Sequence, residues 1–262
     1  MPAAPARPNL LTAAAIGAVA CVAADMVHEG LGHGIASWIT GDPILSFSTV
    51  ALQNAAFNRF VSAAGTSADC LAGILALLAL RRMRKFSTGA CFLWIFGAFS
   101  LLNVGYLTAS AITGGSDWAN VISGLSPAWL WRAMLGLAGA ALYVAAARWI
   151  AASLLAFVDR GELAAAGAPR LVLPAYLAGG AVMTLAAVFN PIGPSLILLS
   201  GAGASFGLNA GLLWVSGYVR ARAPHPAPAA QPVPFSAFWI VLAIAVSAFF
   251  IGVMGPGIRF SR

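Results

Sequence analysis

Apolar positions in this chain gather into stretches of about 20 residues, the length that crosses a bilayer as a helix. Seven such stretches lie at roughly 10–39, 60–80, 88–112, 127–157, 171–189, 194–218 and 235–255. The first and fourth are long enough to tilt or to project beyond the hydrocarbon. Residues 41–58 are too short and too polar to span. Within them, Ile44 to Val50 carries Phe47, Thr49 and Val50, which predicts a short hairpin or membrane-edge strand. Pro191 and Pro194 separate the fifth stretch from the sixth, and Pro224, Pro226, Pro228, Pro232 and Pro234 make a stiff linker before the last. The predicted fold is an all-α polytopic transmembrane bundle of about seven spans, with a short strand-like segment after the first helix. It divides into 1–125 (helices one to three), 126–218 (accessory helices four to six) and 219–262 (linker and last helix).

Composition agrees with this reading. Of 262 residues, 61% are hydrophobic and 8% charged. A soluble domain carries roughly 25% charged residues, so this chain cannot cover a water-facing surface. The formal charge of +7 is therefore no sign of nucleic-acid binding. It reflects topology instead. Arg81, Arg82, Arg84 and Lys85 follow the second stretch, Arg160 and Arg170 the fourth, and Arg220 and Arg222 the sixth. With Arg7 they fall on one side, which the positive-inside rule makes cytoplasmic. Arg59, Arg259 and Arg262 are the minority opposite. The expectation is a multi-pass protein of a bacterial-type inner or plasma membrane, N-terminus in and C-terminus out. Cys21, Cys70 and Cys91 all fall inside predicted spans and read as packing residues. Ala18-Val19-Ala20-Cys21 is similar to a lipoprotein cleavage box, but the apolar run continues past it, as an uncleaved signal-anchor would.

Ionisable residues are costly at membrane depth and mark function by default. The first stretch holds four: Asp25, His28, Glu29 and His33. Imidazoles and a carboxylate are zinc ligands, and a carboxylate next to a ligand histidine can serve as a general base. Helix-borne histidine ligands normally stand at i and i+4, whereas His28 and His33 stand at i and i+5. On a regular α-helix they would point about 140° apart. Three readings follow. A π-bulge, tolerated by Gly30, Gly32 and Gly34, brings both histidines onto one ion. Alternatively, Glu29 and His33 at i and i+4 bind the metal, with Asp25 one turn earlier. In the third, there is no metal and the cluster is a buried hydrogen-bonded network or proton relay.

Val27-His28-Glu29 and Leu31-Gly32-His33-Gly34 together resemble the His-Glu-x-x-His helix of site-2 protease-type intramembrane zinc metallopeptidases, with one extra glycine. Two further elements are similar in order. Ala64-Gly65-Thr66-Ser67-Ala68-Asp69 is similar to the family's Ala-Gly-Pro-x-x-Asn, with Thr66 for Pro and Asp69 for Asn. Asn103 and, further on, Gly115-Ser116-Asp117 resemble its Asn…Asp-Gly element, with Trp118 in place of Gly. The resemblance covers about 110 residues and makes 1–125 a metallopeptidase-like core. It implies that His28 and His33 bind Zn²⁺, that Glu29 is the general base, and that Asp117 is the third ligand. It also implies that Asn103 orients the scissile strand or stabilises the oxyanion. Asp69 is the alternative third ligand by depth: at about 1.5 Å per residue it lies about 14 Å in from the outer end of its helix, and His28 about 16 Å in from that of the first.

The expected activity is hydrolysis of peptide bonds in a membrane-protein substrate within or near the bilayer. The alternative is a non-enzymatic membrane protein, a proton- or ion-coupled carrier or an inactive relative, in which Asp25, His28, Glu29 and Asp69 form a relay. Gly203-Ala204-Ser205-Phe206-Gly207 fits a nucleophile-elbow pattern, but it lies in a helical stretch and the only later histidine is His225. Its small residues read as helix packing. Ser116-Asp117 has an ordinary reading as an N-cap, and Asp69 as a helix–helix hydrogen bond with Ser67 or Asn103.

Overall fold

The computed structural model describes residues 7–191, 193, 197–222 and 233–260, with nothing stated of the Leu199 side chain. Most of the proline-rich linker, with His225, and also Pro194, lie outside the described residues.

Six described helices are long and apolar enough to cross a membrane: Leu10–Thr40, Arg59–Arg81, Thr88–Thr113, Ala128–Asp159, Ala165–Val188 and Ala237–Met254. This is the make-up of a multi-pass membrane protein. The stretch expected at 194–218 is helical where described, but not regularly so. It comprises a π-helix at Ile197–Gly207, a 3₁₀ turn at Leu208–Ala210 and an α-helix at Gly211–Arg222.

Helix ends follow local chemistry. Asn9 caps the first helix, accepting from the Thr12 N–H at 2.9 Å, and Asn58 caps the second through the Phe60 N–H at 2.9 Å. The third helix is interrupted at Asn103 and Val104, so that it runs Thr88–Leu102 and then Gly105–Thr113. Arg132 donates to the carbonyls of Ala111 and Ile112 at that helix's C-terminal end.

The first and third spans are the most enclosed, with 61% and 72% of their apolar windows buried, against 17% for the last. Ile16, Leu77, Trp94, Ile150, Leu171, Val215 and Phe250 meet in one core drawn from all seven helical segments. The first helix touches Ala165–Val188 closely: a Cβ added at Gly17 would collide with the Ala175 backbone. Outward-facing Leu71, Leu75, Leu137 and Ile244 are exposed, as lipid-facing side chains are.

The predicted strand segment is a hairpin, β1 (Ile44–Phe47) with β2 (Leu52–Asn54), antiparallel and irregular between Ile44 and Ser46. A third strand, β3 (Ile258–Arg259), joins β1 on its other edge, giving the order β2-β1-β3. The chain's end is thereby tied to the loop after the first helix. The hairpin packs beside Gly30 and Gly34 of the first helix, where an added Cβ would lie 3.6 Å from Phe47 and 3.7 Å from Leu52 respectively. At the far ends of the second and fourth helices, Arg81 and Arg160 line one shared cavity.

Candidate metal centre

The backbone from Val27 to Gly34 is a π-helix inside the first span. In such a turn, residues five apart take the relation that residues four apart have in an α-helix. The spacing that would separate His28 and His33 on an α-helix therefore brings them together. Their ring centroids lie 4.9 Å apart, edge to face. His28, Glu29 and His33 are buried, and one ligand atom from each lies within 4.8 Å of the others. This group could hold a metal ion.

Close approach of the second helix fixes the histidines' surroundings. A Cβ at Gly32 would lie 2.6 Å from Gly65 Cα, and a Cβ at Gly65 would lie 2.6 Å from Nε2 of both His28 and His33. Glycine at 65 is what lets the helix backbone pass beside the two imidazoles.

Each imidazole is anchored from behind. His33 Nδ1 donates to the carbonyl oxygen of Val61 at 2.7 Å. His28 Nδ1 lies 2.6 Å from Asp69 Oδ2, which also accepts from Asn103 Nδ2 at 2.8 Å. An oxygen accepting from an amide is the acceptor for His28 as well, so both Nδ1 atoms carry hydrogen. In the neutral ring, Nε2 is then a free lone pair. Both Nε2 atoms face Asp117 Oδ2, His28 at 3.2 Å and His33 at 3.4 Å. Three electron-pair donors thus converge, an arrangement that needs a cation among them, a metal ion or a proton.

Asp117 comes from the loop beyond the third span. Ser116 precedes it with φ of 75°, an uncommon conformation for a non-glycine residue. Ser116 makes no side-chain cap bond to the short helix Asp117–Val121. The ordinary N-cap reading of Ser116-Asp117 therefore gives way to a loop that turns Asp117 toward the histidines. Burial works to raise the Asp117 carboxyl; when the two imidazoles are protonated, their Nε2–H bonds and charge outweigh that and hold it below the usual carboxylate range.

The sequence-predicted residues do not all face one space. His28, Glu29, His33 and Asp117 line one cavity of about 310 Å³. Glu29 Oε2 is buried with no hydrogen-bond partner among the described residues. Asp69 and Asn103 stand behind His28, so Asn103 is engaged with Asp69 rather than with the space in front of the histidines. Asp25 lines a separate small cavity on the other side of His28. Ser205, of the elbow-like motif, lies within a helix and donates to the Gly201 carbonyl.

Two participants were not read from the sequence. Tyr106 packs on His28, ring centroids 5.2 Å apart, and lines the cavity. The Val61 carbonyl is a main-chain group, which no side-chain pattern reveals. Asn54, Asn58 and Asn120 complete a polar rim. Scans of family models, curated proteins and solved structures find no match to this chain.

Proposed function

We propose that this chain is an intramembrane zinc metallopeptidase of the site-2 protease type, with His28, His33 and Asp117 as ligands and Glu29 as general base. The observation that carries the reading is the convergence of His28 Nε2, His33 Nε2 and Asp117 Oδ2. The distances support it: ligand atoms about 2.0–2.1 Å from a tetrahedral ion lie about 3.3–3.4 Å from one another. Asp117 Oδ2 lies 3.2 and 3.4 Å from the two nitrogens. The partners behind the imidazoles support it too, since a ligand histidine characteristically donates its other N–H to a carboxylate or carbonyl. Asp69 and Val61 supply these.

Zinc held there would supply the Lewis acidity that makes water nucleophilic at neutral pH. The chain's own residues do the rest. Glu29, with an unengaged carboxylate oxygen at the cavity wall, takes the water's proton and returns it to the leaving amine. The asparagines of the rim offer hydrogen bonds to an unwound substrate backbone. Pairing of Asp69 with His28 keeps that imidazole in one tautomer. The substrate is a spanning segment of another membrane protein, entering beside the hairpin, whose Leu52 and Asn54 line the cavity. The arginine-bearing loops face the cytoplasm of a bacterial-type inner or plasma membrane, with the N-terminus on the same side.

Glu29→Gln tests the assignment. It keeps the shape and removes the base. The purified variant should retain zinc and lose about 10²–10⁴-fold in cleavage of a membrane-spanning substrate. Loss of the metal together with activity would make Glu29 a ligand, and unchanged cleavage would end its role as base.

A further inference from the structure

Behind His28, on the side away from the large cavity, lies a second cavity of about 30 Å³. Asp25, His28, Asn103, Tyr106, Ser205 and Asn209 are its polar lining residues, but both His28 nitrogens are turned to other partners, Nδ1 to Asp69 and Nε2 to Asp117. Its volume is enough for one small ion with a water, since one water needs about 10–15 Å³ by this measure.

Two acceptor oxygens bordering it have no hydrogen-bond partner among the described residues, Asp25 Oδ2 and Asn209 Oδ1. Asn209 is 3% exposed. Its Nδ2 donates to the Ser205 carbonyl at 3.0 Å, which fixes the amide and leaves Oδ1 unengaged. Ser205 is buried as well, and its hydroxyl hydrogen is committed to the Gly201 carbonyl. The hydroxyl therefore offers only lone pairs. At membrane depth unsatisfied acceptors of this kind are expensive.

The helix that carries Ser205 and Asn209 is irregular at this place. It is a π-helix through Gly207 and a 3₁₀ turn at Leu208–Ala210. Two carbonyls of the irregular turn are satisfied from outside, Phe206 by Tyr176 Oη at 2.9 Å and Leu208 by Tyr143 Oη at 2.5 Å. Irregular helix at membrane depth persists where it is buried in protein or lines a cavity, and such breaks serve ion sites.

We propose that Asp25, Ser205 and Asn209 bind one monovalent cation, Na⁺, which ties the first helix to the irregular helix at 197–210. The donor set decides the class of ion. It is all oxygen, which excludes a preference for zinc. It holds one carboxylate, so a single positive charge neutralises it, whereas Ca²⁺ sites draw on several acidic ligands. Zinc content is a separate readout, so this site stands or falls apart from the peptidase reading.

The test uses the full chain in detergent micelles. Thermal unfolding is followed in NaCl and in choline chloride of equal ionic strength, and retained ²²Na⁺ is counted. Wild type should unfold about 3 °C or more higher in saturating Na⁺. It should also retain about one ²²Na⁺ per chain, displaced by unlabelled Na⁺ and not by choline. Asp25→Asn and Asn209→Leu should lose both effects while keeping their zinc, and Ser205→Ala should weaken Na⁺ binding several-fold. Wild type that unfolds alike in both salts and retains no displaceable ²²Na⁺ overturns the proposal, whatever the variants do. Sodium binding unchanged in both Asp25→Asn and Asn209→Leu overturns it equally.

Discussion

Asp69 Oδ2 lies 2.6 Å from His28 Nδ1, while Nε2 of the same ring lies 3.2 Å from Asp117. One carboxylate thus sets the tautomer that the other side of the ring uses. Asp69→Asn leaves the shape and removes the fixed acceptor, because an amide can present either a donor or an acceptor to Nδ1. Zinc affinity, measured by competition with a chromogenic chelator, should fall about 10–100-fold, as when other hydrogen-bond partners of ligand histidines are removed. An unchanged affinity would mean that Asp69 serves only helix packing.

The passage of the second helix beside the imidazoles gives a sharp contrast between two glycines. A Cβ at Gly65 would stand 2.6 Å from both Nε2 atoms, whereas one at Gly34 meets nothing closer than 3.6 Å. Gly65→Ala should therefore abolish metal binding by occupying the space of the ligand, with the chain still inserted in the membrane. Gly34→Ala should bind zinc as wild type does. Metal analysis of the two purified variants checks both; full zinc in Gly65→Ala would contradict the geometry.

The π-helix at Val27–Gly34 makes a prediction about length rather than chemistry. Removing Gly30 leaves the histidines four apart, the spacing that a regular α-helix needs to bring them onto one face. The shortened chain should keep its zinc with the π-turn replaced by α-helix. Gly30 suits the deletion because a Cβ there would meet only Phe47, at 3.6 Å. Loss of zinc from a folded deletion variant would show that the π-turn is required in itself.

Much of this arrangement was legible in the sequence, for identifiable reasons. Ionisable residues within an apolar run stand out, so His28, Glu29 and His33 could be read directly. The five-residue spacing left three readings open, and the π-bulge among them is the backbone found at Val27–Gly34. Asp117 was reachable only through motif order, because a loop carries it to the site. Depth along the helix placed Asp69 near His28 but could not say which ring nitrogen it meets. Tyr106 gave no signal, since a tyrosine near a helix end reads equally well as an interfacial anchor. The strand β3 was also hidden, because two residues carry no period. The irregular helix at 197–210 escaped notice for a similar reason, as its small and apolar residues fit a regular span equally well.

Metal content tests the central claim most directly. Wild-type protein, purified without chelator and analysed by plasma mass spectrometry, should carry about one zinc per chain. His28→Ala, His33→Ala and Asp117→Ala should each lose most of it. Wild type that holds no zinc, and takes up none when it is supplied at neutral pH, would contradict the account and leave the three converging groups to a shared proton.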